Sequence, residues 1–221
     1  MIKRAISKNY FQWDGTDVPI VFDQRIVNKF LEENKDPINS ALYYNNTDTK
    51  ILIYEDRVKT WFLDVAKYLT IKNNIVLSSG EDFDTNEAGF VILQIAISYI
   101  EGNQQYREGT TSHRKSKSFF TSAMKRIFPE ILKIENINPI LNEFYDQVRC
   151  GLFHDEITKP KVIISGELSN AVEILPTDIR INPYKFLDRI SEDFNNYIFQ
   201  LKDKDNNELR KTFELRWNIT G

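Results

Sequence analysis

The chain is poor in the residues that staple, hinge or coat a protein. A single cysteine, Cys150, excludes an intramolecular disulfide and fits a reducing compartment. Eight glycines and seven prolines in 221 residues leave little room for flexible linkers. The only two histidines, His113 and His154, lie far apart, and with one cysteine they make no usual zinc cluster. No glycine-rich loop cradles phosphates, which excludes a P-loop NTPase, so neither a metal nor a cofactor is expected. Net positive charge is missing too. At −3, with a pI near 5.6, the chain is not one that coats nucleic acid over its whole surface, and any RNA contact must be a local patch. The longest apolar stretch, AGFVILQIAISYI at residues 88–100, falls short of the ~20 residues a membrane-spanning helix needs. The start, MIKRAISKNYFQWDG, has no apolar core of signal-peptide length. These absences lead to the expectation of a cytoplasmic protein with no membrane partner.

What is present reads as one mainly α domain, a helical bundle with a small C-terminal β-hairpin. Hydrophobic residues at 41% and charged residues at 28% are ordinary for a globular chain of this length. Residues 1–47 form an N-terminal extension whose role is not readable, with an extended piece at VPIVF and a short helix near 25–33. A helical core occupies 48–202, a β-hairpin falls near 161–175, and 203–221 is a tail. Within the core, Val58, Trp61, Phe62, Val65, Tyr68 and Leu69 recur at helical spacing. Residues 86–101 are apolar almost all round, as in a helix buried on most sides. One narrow polar stripe, Glu87, Gln94, Ser98 and Glu101, interrupts that rod; it either faces water or lines a wet cleft with Glu101 at its end.

From Gly102 to Ser118 the sequence reads as a loop carrying Arg107, His113, Arg114, Lys115 and Lys117. Such runs are usually solvated surface, but in an acidic chain this one is the best phosphate-attracting patch. A helix with Phe119, Phe120, Ala123, Met124, Ile127 and Phe128 on one face follows, up to Pro129. Asn138–Pro139 and Asn182–Pro183 each have the form of an N-cap followed by proline at the first helical position. Between those helices, KVIIS and AVEIL flank a turn and pair as a hairpin in this reading. The tail KTFELRWNI alternates like an edge strand.

The helix expected after Pro139 runs into the most distinctive stretch, FYDQVRCGLFHDE at residues 144–156. Arg149 precedes His154 by five residues, which in an ideal helix would point them about 140° apart. A break at Gly151, or a second copy meeting the first across a two-fold axis, would bring both heads to one place. Histidine suits proton transfer near neutral pH, and an always-charged, bidentate arginine suits the oxygens of a phosphate. Asp155 or Glu156 would orient the imidazole. Cations near a helix C-terminus also occur simply because they complement the helix dipole. Cys150 and His154 are four apart, yet nothing signals the oxyanion hole a thiol nucleophile would need.

The run VRCGLFH near the end of an amphipathic helix resembles the HEPN superfamily, helical nuclease and nucleotide-binding domains of prokaryotic defence and toxin–antitoxin systems. Their signature is an arginine followed four to six residues later by a histidine on an all-α bundle, and the likeness spans residues 48–201 as a pattern. It implies a metal-independent endoribonuclease working as a homodimer, with Arg149 on the phosphate and His154 as acid and base. Cleavage would leave 2′,3′-cyclic phosphate ends. Glu101, Cys150 and Asp155 would support the site, Arg107, Arg114, Lys115 and Lys117 would contact RNA, and an antitoxin or regulator protein would be a partner. Many active members carry a polar residue, often asparagine, directly after the arginine, where this chain has Cys150, a weak hydrogen-bonding group. Two outcomes therefore stay open: a ribonuclease, or a non-catalytic module for dimerisation or for binding RNA or protein.

Overall fold

The computed structural model describes residues 46–70, 88–151 and 161–220. It also describes the backbone of five short strands: an antiparallel set of β1 (Arg4–Ala5), β2 (Phe11–Trp13) and β3 (Ile20–Val21), and an antiparallel pair of β4 (Ile75–Val76) and β5 (Asp82–Phe83). The expected helix near 25–33 lies outside the described residues.

The body is mainly helical. Asn46 opens α1 (Thr47–Val58), its side chain accepting from the Asp48 N–H at 2.8 Å. This helix winds through a π-turn at Lys59–Leu63 into α2 (Asp64–Tyr68). Its inward face is Ile51, Ile53, Tyr54, Leu63 and Ala66, whereas Trp61, Phe62, Val65 and Tyr68 of the expected apolar stripe point outward. The widened π-turn shifts the angular phase of everything after Val58, so a stripe counted at constant 3.6-residue spacing loses register there.

At the centre is α3 (Gly89–Glu108), packed against α4 (Ser116–Ile127), α6 (Pro183–Lys202) and α7 (Asn207–Thr220). Ile92, Leu93, Ala96, Ile97 and Ile100 are fully buried, as an all-round apolar helix requires. The helix does not stop at Gly102 as expected; it runs two turns further and ends at Gly109, in the left-handed region at φ 65°. A Cβ at Gly102 would meet nothing within 4 Å, so that glycine marks no boundary. One at Gly109 would come within 3.0 Å of the Thr212 methyl and carbonyl on α7, so this position needs glycine for both conformation and contact.

After α4, Pro129 begins a 3₁₀ turn (Pro129–Lys133), and α5 (Ile137–Phe144) follows. Its cap is Asn136, with φ 53°, and Pro139 sits within the first turn, two residues from where the Asn138–Pro139 pair suggested. The Asn182–Pro183 pair does start α6: the Asn182 side chain accepts from Tyr184 and Lys185 N–H and donates to the Gly166 and Leu168 carbonyls. That one buried amide joins the helix to the adjoining sheet.

The sheet departs from the expected hairpin. β6 (Val162–Ile164) and β7 (Val172–Ile174) do not pair with each other; β8 (Ile179–Ile181) lies between them, parallel to β6 and antiparallel to β7. The tail is a helix and not an edge strand. Phe213 and Trp217 are buried and Leu215 is 53% exposed, which a helix allows and a one-faced strand does not.

The polar heart of the bundle is Asp193 on α6. It accepts from Arg126 of α4, from Arg107 of α3 at 3.3 Å and from the Tyr99 hydroxyl at 2.9 Å. Arg107 also lies 4.2 Å from the Tyr197 ring centroid and donates to Asn103. Burial, reinforced by the neighbouring Arg107, lowers Arg126 to about 10. Removing the one carboxylate leaves two guanidinium groups facing each other out of water. Asp193→Ala should therefore lose about 3 kcal/mol or more of stability in urea unfolding, a loss on the scale of a broken buried pair. Asp193→Asn, which keeps the shape, should lose less.

Candidate functional site

The candidate site grows from the end of α5. Phe144 and Val148 are buried anchors, and between them the chain passes into a π-turn, Tyr145–Arg149, in which the Cys150 N–H reaches back five residues to the Tyr145 carbonyl. Such turns widen a helix locally and recur at functional positions. Arg149 leaves the turn toward α3. Its Nη2 donates to Glu101 Oε2 at 3.1 Å, and its guanidinium carbon lies 5.6 Å from the centroid of the Tyr145 ring.

Glu101 is thus the inner end of the polar stripe. Gln94 and Ser98 face solvent, while Glu101, Gly102 and Gln105 line a cleft of about 190 Å³ together with Ile97, Ser98 and Arg149. Gln105 is fixed in turn by Arg216 of α7, which donates to it at 2.8 and 3.1 Å. Burial alone would raise the Glu101 carboxyl. Hydrogen bonds from Ser112 and Ser116 and the adjacent Arg149 guanidinium more than offset that, and its pKa falls below the ordinary 4.5. Burial is also the main cause that raises the Tyr145 hydroxyl, against the lowering effect of Arg149.

The same contacts bring the basic loop to the cleft. Ser112 and Ser116 flank His113, Arg114 and Lys115, all three exposed, so their attachment to Glu101 ties the backbone of this loop next to the cleft. Lys117 bridges to Asp146 of the π-turn at 2.8 Å and lies 5.5 Å from the Tyr145 ring centroid. Arg107 does not belong to this group. Read from sequence as a loop cation, it sits in the last turn of α3 and is committed to Asp193, with a side chain 15% exposed.

Of the expected site, Arg149 and Glu101 pair, with half-buried Cys150 beside Arg149. Lys117, in the first turn of α4 and not in a loop, reaches the π-turn through Asp146, and Arg114 and Lys115 are exposed on the loop before it. His154, Asp155 and Glu156 lie outside the described residues. Gly151 is buried within the single chain. The roles of Ser112, Ser116, Tyr145 and Asp146 were not legible. Tyr145 alone carried a signal, being four residues before Arg149 on one helical face. Among the described residues no group of three metal-ligating side chains is present, and no helix is long and apolar enough to cross a membrane.

Chemically, the cleft offers a guanidinium held in place by a carboxylate, with the Tyr145 ring beside it and Lys117 against that same ring. Five N–H donors in a planar fork allow one arginine to hold a carboxylate and a phosphate oxygen together. Comparison of the chain with family models, with curated proteins and with solved structures finds no match.

The Glu101 pKa sets a pH signature. A carboxylate whose folded value lies below its unfolded one contributes stability above the unfolded value and loses it as pH falls through the folded one. Glu101→Gln lacks that contribution. Its stability deficit against wild type should be full at neutral pH and should close below roughly pH 4, as read from urea midpoints across pH.

Proposed function

We propose that the protein is a metal-independent endoribonuclease of HEPN type, in which Arg149 holds the scissile phosphate and His154 moves protons. The observation that supports this reading most is the Arg149–Glu101 pair in a cleft, with Glu101 tied to Ser112 and Ser116 on either side of the exposed His113, Arg114 and Lys115. A phosphate entering there meets an oriented guanidinium first and solvated lysine and arginine heads around it. In a chain of net charge −3, that is a local attraction for an anion and not a general one. Glu101 serves as a positioning residue: it holds the Arg149 fork and leaves proton transfer to histidine, whose ordinary pKa near 6.5 suits it.

With the 2′-hydroxyl as nucleophile, its proton passes to a base, the phosphate passes through a five-coordinate arrangement, and the 5′-oxygen leaves with a proton from an acid. The products are a 2′,3′-cyclic phosphate and a 5′-hydroxyl. His154, the one histidine of the motif, serves one of those transfers at a time, and in a homodimer the partner's copy of it supplies the second. Because Gly151 is already buried within one chain, two copies would meet through the Asp146–Arg149 side of the turn. Defence, or a toxin–antitoxin pair with a regulator protein as partner, is the setting this activity suits.

A second reading has its own observation. Arg149 is charge-neutralised by Glu101, and the neighbouring thiol of Cys150 is a poor hydrogen-bonding group. A non-catalytic module that dimerises or binds RNA or protein would look the same.

RNA cleavage separates the two. Cleavage should persist in EDTA, leave cyclic phosphate ends, and fall by a factor of about 100 or more in His154→Ala and in Arg149→Ala. Both variants should keep wild-type circular dichroism. An inactive wild type whose Cys150→Asn variant is also inactive would give the binding module the better case.

Binding carries an independent measurement. Replacing Arg114, Lys115 and Lys117 together by alanine should flatten the dependence of RNA affinity on log salt by about one to two units. That expectation follows from ~0.7 released counterions per single-strand phosphate contact, discounted for the hold of Asp146 on Lys117. An unchanged slope would make the loop ordinary solvated surface.

A further inference from the structure

A second concavity lies along α6. It is a groove of about 700 Å³ bounded along one side by residues 169–175, which include all of β7, and along the other by α6. Ile131 and Ile134 of the 3₁₀ turn and its exit supply apolar surface, and no residue of β6 or β8 lines it. The groove therefore opens on the edge of β7 that faces away from its partner β8.

That edge is chemically unfinished. The Asn182 N–H donates to the Ala171 carbonyl, and the Leu175 N–H donates to the Asp178 carbonyl. Given the antiparallel register Val172↔Ile181, Glu173↔Arg180, Ile174↔Ile179, alternation gives the ladder bonds to Ala171, Glu173 and Leu175. The N–H and C=O groups of Val172 and Ile174 then point into the groove. Among the described residues no strand pairs with that edge. An exposed edge beside a helix accepts an extended chain by strand addition.

Charge selects which chain. Six ionisable groups line the groove: Glu130, Glu173, Asp188, Glu192, Lys185 and Arg189. Both cations are occupied. Lys185 donates to the Leu168 and Ser169 carbonyls, and Arg189 to the Ile127 carbonyl and Glu130. Asp188 and Glu192 are exposed, one turn apart on α6, and have no partner among the described residues. Their axial separation on the helix is about 6 Å. Alternate side chains of an extended chain, on one face, are spaced by about 6.8 Å.

We propose that this groove binds a basic peptide segment in extended conformation, added as a strand to β7, with lysine or arginine at alternate positions. The cationic heads pair with Asp188 and Glu192, while their aliphatic stems lie over Ile131 and Ile134. A second copy of this chain is disfavoured there, because β7 against β7 would bring like carboxylates of Glu173, Asp188 and Glu192 into one groove. The proposal does not rest on the nuclease reading, because no residue is shared between the two clefts.

The test is fluorescence anisotropy with a short labelled peptide alternating lysine and valine, titrated with the full-length protein. Saturable binding is expected, weakened at least tenfold by the double variant Asp188→Asn, Glu192→Gln, and absent for the glutamate–valine counterpart. The same lysine peptide, N-methylated on the valine amides that would face β7, should also lose binding, which tests strand addition without altering the protein. Equal binding by the methylated peptide, or by the double variant, would overturn the proposal. Failure of the lysine–valine peptide to bind a protein that self-associates through β7, as shown by loss of association in Ile174→Pro, would assign the edge to a second copy instead.

Discussion

One carboxylate, Asp193, holds the centre of this molecule together. It lies between Arg107 of α3 and Arg126 of α4 and takes a further hydrogen bond from Tyr99, so a single group on α6 fixes the relative positions of three helices. Apolar packing sets that these helices pack but not how far each slides along the next, because apolar contact has no direction. A buried ionic contact does have one. Guanidinium groups out of water must meet their partner with good geometry or the burial is costly, so helix register is tied to the Asp193 geometry. Two arginines sharing one carboxylate also leave an excess of positive charge, softened by the Tyr197 ring against Arg107, and burial together with that neighbouring charge lowers the Arg126 pKa.

Register matters because α3 carries both the structural and the candidate functional groups. Arg107 is six residues, more than one and a half turns, beyond Glu101, so a helix locked at Arg107 presents Glu101 on a different side at a fixed height. There Glu101 meets Arg149 from the π-turn after α5, the hydroxyl of Ser112 from the loop after α3 and the hydroxyl of Ser116 at the start of α4. Three segments that approach from different directions converge on one carboxylate. The cleft is in this sense a consequence of the bundle's ionic register, and the same helix whose apolar sides form the core supplies the polar wall of the site.

The helical class of the fold was readable, and so was most of its core. The apolar faces of α3, α4 and α6 follow a plain 3.6-residue rhythm, and Asn182–Pro183 marks a helix start that the side-chain amide makes. The misreadings have identifiable causes. Phe213 and Trp217 are two strand repeats or one helical step of four apart, so the tail's alternation fits both periods until the exposure of Leu215 decides. β8 is hemmed in by the turn residues Pro176, Thr177 and Asp178 before it and Asn182–Pro183 after it, so it read as a connection and β6 and β7 looked like each other's partners. Gly102 resembled a helix end because glycine usually costs a helix about 1 kcal/mol relative to alanine, an amount that packing on either side readily offsets.

The candidate site was legible only in its charged members. Arg149 and Glu101 stood out as polar groups on otherwise apolar helices, but their pairing, 48 residues apart in sequence, depends on where tertiary packing brings two helices. Arg107 illustrates the converse. By composition it is one cation of a basic run, and only the position of Asp193, 86 residues away, turns it inward and removes it from the surface that Arg114, Lys115 and Lys117 share. A charge run in sequence is therefore not yet a patch. Each cation joins the surface or a buried pair according to the turn of helix on which it falls, and in the run from Arg107 to Lys117 the division falls at Gly109. Before it Arg107 answers to the core, and after it the left-handed turn releases the following residues to solvent.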